Sequence, residues 1–196
     1  MPMSISALIC CLLSGSRFRE SVSGIVSELV GGEETQLWIS ANAIRAAGVQ
    51  AATPALNGQG FIVYSFADGQ DRNVQFNMQV PFDMDVSKPC RLCLGWSSPA
   101  VLQNLVVDVA YLITAEGEDT EAAPTVQAGN IYASGAIADG MVIGRLPDIP
   151  GGAIEDNDVC LHFTLERDGD NVLDTLGDVM ELHGVALRYT ATAYGV

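Results

Sequence analysis

The pair Cys90-Arg-Leu-Cys93 is the arrangement in this chain that first suggests chemistry, because thiolates at this spacing bind zinc or exchange electrons. A zinc site needs two further ligands, and the remaining cysteines with His162 and His183 offer no second close pair. A redox pair needs the start of a helix, whereas this segment continues as a strand. Residues three apart on a strand point to opposite faces. We therefore predict ordinary strand cysteines.

The acidic stretch Asp168-Gly-Asp170-Asn171, followed by Asp174 and Asp178, is a second candidate, because carboxylates bind calcium. Its spacing departs from the calcium-loop pattern, which has Gly at the sixth position and Glu at the twelfth. Asp, Gly and Asn also form turns after strands. The sequence thus favours a turn with no metal, and a bound cation remains the alternative.

Catalytic nucleophiles and bases are poorly represented. The sequence contains no Gly-x-Ser-x-Gly elbow and no His-Glu-x-x-His pair. His162 falls on the polar side of a predicted strand, and His183 falls beside Gly184, where the strand pattern changes phase as at a β-bulge. Carboxylates that pair only in space are invisible in a sequence. We expect a protein that is not an enzyme, with no catalytic residues and no cofactor.

The charge of the chain limits its partners. The formal net charge is −15, and Lys88 is the only lysine, so phosphate backbones and anionic membrane surfaces would be repelled. No apolar stretch approaches the roughly 20 residues that span a bilayer. The five cysteines, an odd number, do not resemble the framework of a disulfide-stapled secreted domain. We expect no nucleic acid or membrane partner, and assembly in a reducing compartment.

The sequence pattern around these residues predicts β-strands. Val74, Phe76, Met78 and Val80 alternate with polar residues, as in a strand with one buried face. Only 17% of the residues are charged, and 20 Gly with 8 Pro suit short strands and tight turns. Eight such runs occur, namely 37–40, 60–66, 74–80, 91–96, 105–114, 141–146, 159–167 and 180–192. We predict an all-β jelly-roll β-sandwich of about eight antiparallel strands with an N-terminal arm.

The aromatic side chains divide into core and surface candidates. Trp96 continues the face of Leu92 and Leu94, which predicts a core position. Trp38 alternates with Leu37 and Ile39 and can face either side. If exposed, Trp38 and Tyr132 could stack on sugar rings.

Residues 1–35 differ in pattern from residues 36–196, and we predict a jelly-roll domain only for the second range. Apolar residues in the first range recur with a three-four spacing, as on a helix seam, although its glycines and serines weaken a helix, so helical and extended forms both remain open. The candidate residues for contact with another protein chain are Leu8, Phe18, Val22, Ile25 and Leu29.

Three segments in order resemble the jelly-roll virion proteins of tailed bacteriophages. They are Leu37-Trp-Ile-Ser-Ala-Asn-Ala, then Val74-Gln-Phe-Asn-Met-Gln-Val-Pro-Phe-Asp before a Leu-x-Leu-x-Trp strand, and a closing pattern that runs from Arg167-Asp168 through acidic residues to Gly184-Val-Ala-Leu-Arg-Tyr189. The resemblance covers about residues 36–193, and it departs from the family at Ser40 and in the cysteine-bearing arm.

Proteins of this kind serve as capsid decoration or cement proteins, often as trimers, and as fibre and tail modules, without catalytic residues. The resemblance implies a homotrimer that is assembled in the host cytoplasm. It would bind the major capsid protein on the outer capsid surface of the virion and stabilise the head. The alternative is a tail or fibre module that binds a host surface glycan.

Overall fold

The structure is a computed structural model of the full sequence, and it describes residues 34–46, 50–119, 121–155 and 158–192. These residues form one short 3₁₀ turn, Ala41–Ala43, and ten strands. The strands are β1 Glu34–Ser40, β2 Thr53–Leu56, β3 Ile62–Phe66, β4 Arg72–Gln79, β5 Arg91–Ser97, β6 Asn104–Ala115, β7 Thr125–Ala133, β8 Val142–Arg145, β9 Asp158–Arg167 and β10 Met180–Thr190. The described residues include no helix with the length and apolar character needed to cross a membrane.

Two antiparallel sheets face each other. The first has the order β2-β3-β10-β5-β8, with β1 also paired to β10, and the second has the order β4-β9-β6-β7. The last eight strands therefore divide into two four-stranded sets, β3-β10-β5-β8 and β4-β9-β6-β7, which is the arrangement of a jelly roll. The predicted all-β jelly-roll sandwich is confirmed.

Strand β10 organises the first sheet. Its residues Glu181 to Arg188 pair with β5 along one edge. The other edge is shared, because β3 pairs with Met180–Leu182 and β1 pairs with Gly184–Thr190. The register shifts between Leu182 and Gly184, so the predicted bulge at His183 is present. Strands β1 and β3 consequently end on either side of one bulged residue.

The core lies between the sheets and follows the two-residue period of the strands. Trp96 is fully buried there, as predicted. Phe76 and Phe163, which are register partners on β4 and β9, stack with ring centroids 5.2 Å apart. Tyr111 packs against the other side of Phe163 at 6.4 Å.

All eight predicted runs contain strands, but β2 and β7 were not predicted. The sequence did not predict β2, because this strand has only four residues and contains Pro54, which is unusual except in edge strands. β7 is an edge strand with a left-handed Gly129 (φ 71°), and its exposed and half-buried residues do not alternate. The predicted contact residues Leu8, Phe18, Val22, Ile25 and Leu29 lie outside the described residues.

Candidate functional site

A cleft opens on the first sheet at the place where β1 and β3 share the edge of β10. Neither strand pairs with the bulged His183, so the sheet surface is left uncovered between them. The cleft has a volume of about 450 Å³. It is lined by Ser40, Ala41, Asn42, Gly60, Phe61, Ile62 and His183, and we call it the His183 cleft.

The polar groups of the His183 cleft lie on two sides. On the β1 side, the Ser40 hydroxyl donates to Oδ1 of Asn42, which leaves the amide NH₂ of Asn42 at the surface. On the floor, Nε2 of His183 is 2.8 Å from the Ser97 hydroxyl. Within the described part of the chain, the lining includes no Asp, Glu, Lys or Arg, although the chain carries a net charge of −15.

Two aromatic side chains border the cleft. Phe61, at the start of the β3 side, is 68% exposed, and Trp38 on β1 is 40% exposed. The six-membered ring of Trp38 occupies the space above two glycines on neighbouring strands. A Cβ at Gly184 would lie 2.7 Å from its Cζ2 atom, and one at Gly95 would lie 2.5 Å from Cη2. Glycine at both positions therefore allows the indole to cover the sheet beside His183.

Ser97 and His183 resemble a nucleophile and its base only by residue type. The Ser97 side chain is 2% exposed, so a substrate could not reach its oxygen. Among the described residues, the structure records no carboxylate on the other ring nitrogen of His183. The hydrogen bond instead ties the bulge of β10 to β5.

The Cys90 and Cys93 side chains are separated as the strand argument predicted. Cys90 belongs to the core between the sheets, where burial raises the pKa of its thiol to about 12. Cys93 lies outside that core, on the strand position that pairs with Arg145 and Ala186. Burial also raises the pKa of the Cys93 thiol, despite the opposing effect of nearby arginines. Neither thiol has the lowered pKa of a redox or metal-binding cysteine.

Tyr132 is placed away from Trp38. Its ring packs against Gly144 on β8, with Cδ1 3.2 Å from the position of a Cβ there, and its hydroxyl donates to the Arg145 carbonyl at 2.9 Å. Burial raises the pKa of this hydroxyl to about 12. The structure therefore does not bring the two predicted stacking residues together, and sugar stacking by either one remains a prediction.

His162 lies in a second cleft, of about 350 Å³, on the outer face of the second sheet. Its ring nitrogens are each 3.1 Å from a neighbour, Oδ1 of Asn77 and the Thr114 hydroxyl. Both neighbours are on adjacent strands, so the imidazole links β4, β9 and β6. This is a structural position on the polar face, as the sequence pattern indicated.

The acidic stretch after β9 serves mainly to hold Arg167. The Arg167 side chain is fully buried and pairs at 3.0 Å with Asp174, whose side chain is also fully buried. The Asp178 backbone carbonyl accepts a hydrogen bond from Arg167 at 2.8 Å. Asp174 and Asp178 are thus part of the packing of the β9–β10 connection.

Asp168 and Asp170 instead meet Asp71, which arrives from the turn before β4. Oxygens of the three carboxylates lie within 4.8 Å of one another, and this group could hold a cation. The charges of Asp71 and Asp168 contribute to raising the pKa of Asp170, with Asp71 the largest cause. Oδ1 of Asp71 is buried without a hydrogen-bond partner. Sequence analysis identified Asp168 and Asp170 but missed Asp71, which is about a hundred residues away in the chain.

No protein-family model and no curated protein matches this chain. Among solved structures, it is similar to the xylan-binding module CBM15, with 13% identity, a TM-score of 0.47, and coverage of 83% of this chain and 100% of that one. The CBM22-2 xylan-binding domain of Paenibacillus barcinonensis Xyn10C has 11% identity, a TM-score of 0.44, and coverage of 76% and 92%.

A structure of infectious bursal disease virus, Gx strain, is also similar, with 12% identity, a TM-score of 0.41, and coverage of 85% of this chain and 34% of that one. At these identities the similarity concerns the β-sandwich fold alone. The class that the structure defines is a jelly-roll β-sandwich.

Proposed function

We propose that this chain is a structural protein of a tailed-bacteriophage virion. Its jelly-roll domain would decorate the outer capsid surface as a homotrimer bound to the major capsid protein. The observation that carries the proposal is the number of large apolar side chains left exposed on so small a domain. They are Leu37, Trp38, Leu56, Phe61, Ile62, Phe82, Val101, Leu102, Val126, Ile131, Ile137, Met141, Ile143, Val159, Val172 and Leu173.

The types of these side chains favour protein partners. Only three of the sixteen are aromatic, and the others are Leu, Ile, Val or Met. Exposed apolar side chains that adjoin one another usually mark a contact with another macromolecule, and among these residues Trp38 and Met141 meet above Gly95. Branched aliphatic side chains pack well against protein but offer no flat ring to a sugar. Contacts among copies of the chain, and with a capsid lattice, would cover such surface.

The stabilising effect follows from linkage. A protein that binds only the assembled lattice shifts the equilibrium toward assembly. A trimer would bind the capsid more firmly than a single copy does. Once one copy has bound, the other two are held at a high effective concentration near their own binding positions. In this proposal residues 1–35 reach toward capsid subunits or neighbouring trimers, and the acidic domain faces solvent.

Binding to isolated heads tests the proposal. Heads that lack this protein would be mixed with the full chain, with residues 34–196, which keep the whole of β1, or with point variants in the preceding segment, and bound protein would be measured after sedimentation. We expect Leu29→Asp and the truncation to lose binding, while the neighbouring Ser27→Asp, which adds the same charge, retains it. Circular dichroism would check that the β-sandwich remains folded. Full binding by the truncated protein would contradict the role given to residues 1–35.

A tail or fibre module that binds host surface glycan is the second candidate function. It is favoured by one specific observation, the exposed Trp38 beside the His183 cleft. Adsorption of phage to cells separates the two functions. If the protein binds glycan, Trp38→Phe, which removes the outer part of the indole that lies over Gly184 and Gly95, should reduce adsorption. If it only decorates the head, adsorption should be unchanged.

A further inference from the structure

We propose that the His183 cleft binds one neutral pyranose ring of a glycan chain. This site is independent of how the protein attaches to a capsid, and it gives the second candidate function a location. Three observations carry it: the size and position of the cleft, its combination of aromatic and hydrogen-bonding groups, and its lack of charge.

The size of the cleft suits a single sugar unit. Its volume of about 450 Å³ lies in the range of small-ligand sites. It is open along the sheet surface, because β1 ends at Ser40 on one side and β3 begins at Ile62 on the other. An open cleft allows the neighbouring units of a chain to continue in both directions.

The lining groups match the two kinds of surface that a pyranose presents. Phe61 provides a lining ring for the C–H face of the sugar, and Trp38, which lies over Gly184 next to His183, provides a second exposed ring beside the cleft. Ser40, Asn42 and His183 provide hydroxyl, amide and imidazole groups for its equatorial hydroxyls. Since Nε2 of His183 faces Ser97, the other ring nitrogen is the one that a ligand could meet.

The absence of charge in the lining selects against other ligands. Among the residues that the structure describes, no Asp or Glu lines this cleft, so a neutral ligand meets none of their carboxylates there. An anionic sugar would find no arginine or lysine in the lining to pair with. A purely apolar peptide would leave the Asn42 amide and the His183 nitrogen without partners, which costs binding free energy.

Saturation-transfer NMR on the full chain tests this assignment. The probes are the methyl pyranosides of glucose, galactose, mannose and xylose, together with N-acetylglucosamine, and methyl glucuronide is the charged comparison. We expect at least one neutral probe to bind with a dissociation constant of about 1–10 mM, as is usual for a single weakly held ring. We expect Phe61→Ala to weaken that binding by about tenfold.

Phe82→Ala is the matched control, because Phe82 is 90% exposed and lies outside the cleft lining. It should bind the sugar as the unchanged protein does. The proposal is overturned if no neutral probe shows transfer up to about 100 mM, a concentration that detects even very weak binding. It is equally overturned if both Phe variants bind alike, if the glucuronide binds more tightly than every neutral probe, or if Phe61→Ala alters only the oligomeric state in sedimentation.

Discussion

Replacing Arg167 with Met should destabilise the β-sandwich more than almost any other single substitution. The Arg167 side chain is fully buried and its nitrogens donate to the carboxylates of Asp68 and Asp174 and to the carbonyls of Phe66, Leu176 and Asp178. One side chain therefore connects the end of β3 to the long connection between β9 and β10. Met keeps much of the side-chain volume, so the expected loss concerns charge and hydrogen bonds rather than a cavity.

The expected loss in the free energy of unfolding follows from Asp174, the buried partner that remains. Without Arg167, the Asp174 carboxylate stays fully buried and retains only hydrogen bonds from the backbone N–H groups of Val106 and Leu176. Removing one member of a buried ion pair costs about 3–5 kcal/mol. A domain of this size has a total free energy of unfolding of about 5–15 kcal/mol, so this loss is a large fraction of it. Replacing both charges in Arg167→Met/Asp174→Asn should recover about half of the loss or more, because no buried charge is then left unpaired.

Urea unfolding, followed by the fluorescence of the buried Trp96, measures the free energy of unfolding of each variant. Arg91→Met is the matched control. Arg91 pairs with Asp148 at 3.1 Å, but both side chains are partly exposed, at 36% and 47%. Such a pair contributes about 0–1 kcal/mol. If Arg167→Met cost no more than Arg91→Met, the assignment of Arg167 as a buried structural cation would be wrong.

Three further predictions concern the face of the first sheet, the acidic group and the thiols. Gly95→Ala should lower the melting temperature in thermal unfolding and shift Trp fluorescence, because its Cβ would lie 2.5 Å from Trp38, and such overpacking costs about 1–3 kcal/mol. Asp170→Asn should stabilise the fold in pH-dependent urea unfolding. The pKa of Asp170 is raised in the folded state, so the free energy of unfolding of the unchanged protein rises as pH falls from neutrality through that pKa, and the variant loses part of this rise. In iodoacetamide labelling at about pH 8, followed by peptide mass spectrometry, Cys160 should react well before Cys90, whose thiol has a pKa raised to about 12 and therefore stays protonated.

Matched controls sharpen these three measurements. Gly58→Ala adds a Cβ in open space and should leave the melting temperature unchanged. Asp139→Asn is the charge-matched control, because it removes an exposed carboxylate outside the group of Asp71, Asp168 and Asp170, from a left-handed position that Asn tolerates. Both thiols should label equally in denatured protein. Equal effects of the two glycine variants would contradict the close packing of Trp38 over Gly95. A pH profile unchanged by Asp170→Asn would contradict the raised pKa of Asp170, and rapid labelling of Cys90 in the native protein would contradict its burial.

Strands with a two-residue alternation could be predicted from the sequence, because one face packs in the core. Val74 to Val80 and Val159 to Arg167 show this most clearly, and both are strands of the second sheet. β7 could not be predicted in this way. None of its nine residues is buried, and the register shift next to the left-handed Gly129 interrupts the alternation of its exposed and half-buried residues.

The sites could be predicted less well from the sequence, because their residues come together only when strands that are distant in the chain pair with one another. Asn42, Phe61 and His183 line one cleft only because β1 and β3 share an edge of β10. The turn Asn57 to Gly60, in which Oδ1 of Asn57 accepts from the backbone N–H groups of Gln59 and Phe61, precedes β3, but its residue types do not indicate the neighbours of Phe61. His183 at a bulge was predictable from the change of phase beside Gly184, and its position is confirmed.

The central claim, that this chain is a virion structural protein on the capsid surface, is tested most directly by its copy number in purified particles. Quantitative mass spectrometry would compare peptides of this chain with peptides of the major capsid protein. The account predicts a copy number of the same order as that of the major capsid protein. A few copies per particle would place the chain in a tail or fibre and contradict the decoration role, and absence from the particles would contradict the virion assignment altogether.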